Sequence, residues 1–383
     1  MSVTASTVGV RTQQNRAWLH SRDWDLTFIT LSVVLVTMPY LFYLALLELE
    51  TVLGPVAGSL HTTVDDLSRN IVNGMVALLV GGPHMYATFT RTTFDREYVQ
   101  KHRVMILASL LIPVIVITLA LSSLQLLLTL FFFWASIHVL HQIIYITELY
   151  NHKLKTSLTK FSRYADYGVI LTSLYPLAAW RIANNDFAIG LNNISEVVGQ
   201  ILGVFGLGLG NWMVWLAGIA FGAAFTVWVV KSYLEWRQGT LHGPKTMFIG
   251  LTVTASFFVP ALGNLDTAFQ GMNVWHSLQY LSLTWMLNNL RQRRGEMESK
   301  PFLRRMSTDN SARRYYLFNV GLTLADVVLA GVIYLILVYA FGKDFDYAFD
   351  RSYYIAILSF LWMHYLHDHF LFGEPSVIAY DSA

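Results

Sequence analysis

Histidines occupy unusual places in this sequence, because many of them fall inside long apolar stretches. Two stretches each carry a pair three residues apart, His138 with His141 and His364 with His367. Residues three apart share one face of an α-helix, so each pair can approach a common ion. Neutral imidazole is a ligand for iron, copper and zinc. The two pairs therefore predict a shared metal site between two helices.

Three more histidines belong to this candidate set. His84 follows Gly81-Gly82-Pro83, a run that loosens the helical hydrogen-bond ladder and favours a kink. His369 lies round the helix from His367, so the sequence leaves open whether there are one or two metal sites. The predicted metal ligands are His84, His138, His141, His276, His364, His367 and His369.

Two carboxylates and one phenol near these histidines are the candidate catalytic residues. Glu148 follows His141 on the same helical face, and it is a ligand, a group that orients a ligand, or a side chain that extends to the lipid headgroups. Asp368 can hydrogen-bond a neighbouring imidazole. Tyr280 lies four residues after His276 and completes the set.

The composition favours a membrane protein. Of the 383 residues 55% are hydrophobic and only 13% are charged, which is roughly half the charged fraction of soluble domains. The chain has no cysteine, which excludes disulfides and thiolate metal sites. A net charge of +2 gives no reason to expect a nucleic-acid partner.

Long apolar runs predict an all-α polytopic bundle of about ten transmembrane helices. The first residues carry no apolar core before a cleavage site, so no cleaved signal peptide is expected. The predicted spans are 25–47, 71–91, 104–123, 125–149, 165–184, 211–232, 246–263, 269–290, 318–341 and 352–372.

The basic residues predict the orientation of these spans. With both termini in the cytoplasm, every Lys and Arg falls on the inside except Arg69, Arg181, Lys343 and Arg351, as the positive-inside rule requires. A bacterial chain of this kind would lie in the inner membrane. The predicted organisation is a cytoplasmic segment 1–24, a single bundle 25–372 and a cytoplasmic tail 373–383. Within the bundle, a short outside or re-entrant helix is predicted near 187–207 and a basic cytoplasmic loop at 291–317.

In this topology all seven candidate ligands lie on helices that run from outside to inside, and all but His276 lie in the inner half. Counted from Arg291, His276 is about 20 Å from the cytoplasmic end of its helix. Either that helix begins later than predicted, or His276 has a separate function.

The runs Gly82-Pro83-His84 and Trp275-His276-Ser277, with the histidines of the last helix, resemble the Brp/Blh family of membrane beta-carotene dioxygenases. The resemblance implies that His84 and His276 ligate iron and that a carotenoid is cleaved. The chain departs from the family pattern at Met85, Thr88 and Gln279, where glycine, an acid and an arginine are usual. The membrane desaturase and hydroxylase superfamily fits less well, because its adjacent His-His pairs are missing here.

The leading hypothesis is a non-haem iron oxygenase with one or two ions, which uses dioxygen against an isoprenoid, carotenoid or fatty acyl substrate from the bilayer. One alternative is an electron-transfer protein with b-type haem near a quinone site, although histidines three apart on one helix fit a haem less well. The other alternative is a non-catalytic subunit or a transporter with a histidine proton relay.

Overall fold

The computed structural model describes residues 17–60, 62–153, 158–189, 192–307 and 311–373. Most of the predicted N-terminal segment 1–24 and nearly all of the tail 373–383 lie outside these residues. The described residues are 83% helical with almost no sheet, which agrees with the predicted all-α class.

The helices are numbered in chain order. They are α1 (Arg22–Leu47), α2 (Glu50–Ser59), α3 (64–89), α4 (Arg96–Lys101), α5 (Arg103–Ser122), α6 (Leu124–Lys153), α7 (Lys160–Thr172), α8 (Tyr175–Ala183), α9 (Ile194–Val204), α10 (Asn211–Arg237), α11 (Gly243–Phe258), α12 (Leu265–Arg293), α13 (Pro301–Ser307), α14 (Ala312–Ala340) and α15 (Phe345–Phe372).

Every predicted span overlaps helix in the structure, but one of them is divided. The stretch 165–184 forms parts of α7 and α8, with a turn between Thr172 and Tyr175. Pro176 explains the break, because proline has no N–H with which to bond the carbonyl of Thr172 four residues earlier, and proline is tolerated in the first turn of the next helix. The segment near 187–207 contains α9, preceded by the short antiparallel strands β1 (Ala188–Ile189) and β2 (Asn192–Asn193).

In the part of the chain that the structure describes, five helices are long and apolar enough to cross a membrane, which suggests a membrane protein. These five are α1, α5, α6, α10 and α14. The helices α12 and α15 are of similar length but less apolar, because they carry many of the polar and histidine side chains of the interior. Along α10 only Trp228 and Lys231 are buried, so its apolar side chains face outward.

The helices that carry the candidate residues pack against one another. The helix α12 lies against α1 and α3, while α15 lies against α3, α5, α6 and α14. Three of these helices are irregular, and one of them, α14, ends in a π-helical turn at Ile336–Ala340. Both α1, at Asp25–Thr30, and α3, at Ala77–Gly81, contain a π-helical turn, and a 3₁₀ segment follows in α1 at Leu31–Thr37.

Candidate metal centre

Four histidines from four helices meet in the interior of the bundle. They are His84 of α3, His138 of α6, His276 of α12 and His364 of α15, and none is more than 4% exposed. One potential ligand atom from each lies within 4.8 Å of the others. Neutral imidazoles at such spacing are suited to hold one ion.

An irregular stretch of backbone in α3 directly precedes His84 and determines where its side chain points. Pro83 has no N–H with which to bond the carbonyl of Leu79 four residues earlier, and the hydroxyl of Tyr316 donates to that carbonyl at 2.6 Å instead. The π-helical turn Ala77–Gly81 ends directly before this point. The irregular turn and the proline lie where the sequence predicts a loosened ladder, and His84 is turned into the interior.

Hydrogen bonding fixes which nitrogen His84 presents to the cluster. Its Nδ1 lies 2.8 Å from the carbonyl oxygen of Gly81, and a carbonyl only accepts, so Nδ1 carries the proton. The Nε2 atom then has a free lone pair, and it lies 3.1 Å from His276 Nε2. A backbone carbonyl that holds the outer nitrogen of an imidazole is the usual support of a metal-ligating histidine.

The other two imidazoles also direct a nitrogen inward. Among the described residues, His138 Nε2 and His364 Nε2 are buried without a hydrogen-bond partner. The ring of His138 stacks on Tyr365 with centroids 4.2 Å apart. His364 Nδ1 lies 2.5 Å from Thr88 Oγ1, so its Nε2 faces the cluster.

Unpaired buried polar atoms cost about 1–3 kcal/mol each, so two of them in one cluster call for an explanation. An ion held by the four rings supplies it, because each inward nitrogen then has a partner. The buried histidine cluster could therefore bind a metal ion.

No known protein family, characterised protein or solved structure matches this chain. The function of the site is therefore inferred from the chemistry and geometry of its own residues.

The remaining predicted ligands lie outside this cluster. His141 and His369 face each other, with ring centroids 5.4 Å apart, and His369 is exposed. His367 contacts Thr92 Oγ1 at 3.0 Å and Ser109 Oγ at 3.2 Å. Of each predicted pair, the structure thus brings one histidine into the cluster, His138 or His364, and leaves the other, His141 or His367, outside it.

Two of the three candidate catalytic residues lie beside the cluster. Asp368 is fully buried, and its Oδ2 is 3.5 Å from His364 Nδ1 and 3.8 Å from His138 Nε2. The hydroxyl of Tyr280 donates to Asp368 Oδ1 at 2.5 Å. An aspartate next to two of the imidazoles can orient them and balance part of the charge of an ion.

Glu148 lies in a different environment. Its Oε1 accepts hydrogen bonds from Asn151 at 2.7 Å and from Tyr167 at 2.6 Å. The side chain of Arg163 approaches its Oε2 to 3.4 Å. Since ten residues of helix separate Glu148 from His138, about 15 Å along the axis, these contacts tie α6 to α7 rather than to the cluster.

Sequence reasoning missed several buried polar residues of the site. Thr88 appeared only as a departure from a family pattern, yet it contacts His364. Gln142 donates to the carbonyl of His276 at 3.1 Å. Arg91 is 7% exposed and is hydrogen-bonded to Tyr145. A search for polar residues four positions after each histidine would have found Thr88 and Gln142.

Proposed function

We propose that this chain is a multi-pass membrane oxygenase in which His84, His138, His276 and His364 hold one non-haem iron ion. The observation that carries the proposal is the convergence of four buried imidazoles from four helices, with ligand atoms within 4.8 Å of one another. A buried ionisable cluster at membrane depth is costly, so it is most readily explained by function.

The proposed topology has about ten spans and both termini in the cytoplasm. The direction of the helices supports it. His84 contacts His276, and one turn later Thr88 contacts Tyr280, so α3 and α12 run parallel. The proposed topology places six spans between the start of one and the start of the other, an even number that gives the same direction.

Iron is proposed because the donor set is all nitrogen with a carboxylate at hand. Imidazole and carboxylate ligands suit iron, and an iron ion with an open position supplies dioxygen chemistry. The protein would hold the ion with the four inward nitrogens and would exclude water with the surrounding aromatic rings, among them Tyr365 and Phe372. Desolvation of this kind protects reactive species from side reactions.

The substrate class follows from the surroundings. The proposed substrate is an isoprenoid, a carotenoid or a fatty acyl chain that enters from the bilayer, and the apolar helices around the site support this class. The likeness to the Brp/Blh dioxygenases supports the carotenoid among these, because His84 and His276, which carry it, contact each other. The acid that is usual at Thr88 in that family is absent, but Asp368 Oδ1 lies 2.8 Å from the hydroxyl of Thr88.

A metal-free proton relay is the second candidate. The separation of 3.1 Å between His84 Nε2 and His276 Nε2 is a hydrogen-bond distance, so the two rings can share a proton without an ion. A haem is less favoured than either, because the four inward nitrogens are too close together for a macrocycle to lie among them.

The test is elemental analysis and an optical spectrum of protein purified in detergent after expression with added iron. We expect about one iron per chain and no Soret band. His138→Ala and His364→Ala should lose most of the iron, whereas His141→Ala and His369→Ala should retain it. A protein without metal above background would refute the oxygenase and favour the relay, and a Soret band would favour haem.

A further inference from the structure

A second polar layer lies one helical turn beyond the four histidines. Each histidine is followed, four positions later on its own helix, by a buried polar residue. Residues four apart on a helix lie one above the other. The four members of this layer are Thr88, Gln142, Tyr280 and Asp368.

Thr88 is the centre of this layer. Its Oγ1 lies 2.5 Å from His364 Nδ1, 2.6 Å from the hydroxyl of Tyr280 and 2.8 Å from Asp368 Oδ1. One hydroxyl of α3 thereby contacts α12 once and α15 twice. The residue is fully buried, so water does not compete for these contacts.

The hydrogen-bond donors and acceptors around Thr88 determine the tautomer of His364. A threonine hydroxyl has one proton to donate and two lone pairs that accept. A carboxylate only accepts, and Asp368 Oδ1 accepts from both Tyr280 and Thr88, so neither hydroxyl donates to the other or to His364. His364 Nδ1, at 2.5 Å from Thr88 Oγ1, must then donate to that oxygen. His364 is thereby held in the tautomer that has its proton on Nδ1 and its lone pair on Nε2, the inward nitrogen.

We propose that Thr88 is a positioning residue for the metal: with Asp368 and Tyr280 it fixes the tautomer and rotation of His364 so that Nε2 faces the ion. This inference rests on the proposed function, since it assigns a role at the same site. Outer partners of metal-bound histidines alter metal affinity by about 10- to 100-fold.

Three variants isolate the hydroxyl. Thr88→Val keeps the branched shape but removes the hydroxyl, and Thr88→Ser restores the hydroxyl without the methyl group. Thr92→Val is the matched control, because Thr92 is also fully buried and hydrogen-bonds a histidine of α15, His367, which lies outside the cluster. If Thr88→Val is not recovered in folded form, Thr88→Ala removes the same hydroxyl and adds no bulk.

The experiment is a titration of the metal-depleted, full-length protein in detergent with Co²⁺, whose d–d absorption bands report coordination. Thr88→Val should bind Co²⁺ about 10- to 100-fold more weakly, with shifted bands at saturation. Thr88→Ser and Thr92→Val should resemble the wild type. A purely structural role would lower the melting temperature but leave the bands of the saturated protein unchanged.

Two failures remain distinguishable. If the wild type binds neither Co²⁺ nor iron, the proposed function fails, and the role of Thr88 fails with it. If the wild type binds Co²⁺ and the Thr88 variant without a hydroxyl binds it with the same affinity and the same bands, only this inference is overturned.

Discussion

The Nε2 atoms of His84 and His276 lie 3.1 Å apart, although 192 residues separate the two in the chain. The sequence places His276 further from the predicted cytoplasmic end of its helix than the other histidines, which argued against a shared site. The contact resolves this, because α3 ends five residues after His84, at Phe89, whereas α12 continues to Arg293. Parallel helices that end at different levels can still place two residues side by side.

Gly271 is predicted to be essential for the packing of α12 against α1. A Cβ atom at this position would lie 1.8 Å from the carbonyl oxygen of Val36, and backbone cannot move aside as a flexible side chain can. Gly271→Ala should therefore destabilise the protein by about 1–3 kcal/mol or more, measured as a lower melting temperature in detergent.

The control is Gly321→Ala in α14, where an added Cβ would meet no atom within 4 Å. It should leave the melting temperature nearly unchanged. Equal losses in the two variants would contradict the proposed close contact. Because Gly271 lies five residues before His276, the Gly271 variant should also bind metal less tightly.

Asp166 is predicted to hold a buried ion cluster together. Its two oxygens lie 2.9 Å from Lys231 Nζ and 2.8 Å from Lys245 Nζ, and all three side chains are at most 2% exposed. Removal of one partner from a buried ion pair costs about 3–5 kcal/mol, because the remaining charge is left uncompensated. Asp166→Asn should therefore lower the melting temperature strongly or prevent accumulation of folded protein.

An ion pair with an exposed carboxylate and a buried Arg181 provides the comparison. Asp186 pairs with Arg181 at 2.9 Å, but the side chain of Asp186 is 60% exposed. Asp186→Asn should cost less than about 1 kcal/mol. If the Asp166 variant were as stable as the Asp186 variant, the cluster would contribute little to folding.

His242, which caps the start of α11, is predicted to make stability depend on pH. Burial, and then the charge of Lys245, lower the pKa of His242 from 6.5 to about 4. The folded state therefore binds this proton less readily than the unfolded state does. The resulting stabilisation is complete above pH 6.5 and is lost as the pH falls from about 6.5 to about 4.

His242→Asn tests this dependence. His242 Nδ1 accepts a hydrogen bond from the N–H of Lys245 at 3.1 Å, and asparagine is a strong helix cap in the same place. The variant should keep the helix but show a shallower fall of melting temperature between pH 6.5 and 4. An identical slope in both proteins would assign the pH dependence to other groups.

The positions of the helices were predictable because hydropathy reports length and polarity directly. The four clustered histidines were all among the predicted ligands. The sequence did not predict which histidines of different helices would meet. A spacing of three residues shows that two side chains share a face of one helix, but it does not show which helices are neighbours. His141 therefore shares a face with His138 in sequence terms, yet it meets His369 in the structure.

The irregular segment of α1 was also beyond sequence reasoning. The residues Leu31–Thr37 are mostly apolar and are typical of ordinary helix, but they form a 3₁₀ segment where α12 approaches through Gly271. That geometry depends on a contact with a distant part of the chain. The proline in α3 was informative because its missing N–H acts locally, whatever the neighbours are.

The wide spread of the four histidines along the chain bears on how the protein is made. A ribosome completes α3, α6 and α12 before His364 has been synthesised, since a chain emerges at about 5–20 residues per second from its N-terminus. The chain from His276 to His364 is 88 residues long, so for roughly 4–18 seconds at this rate a nascent chain would offer three ligands without the fourth. Capture of the ion with full affinity would therefore be one of the last steps of biogenesis, after α15 has taken its place.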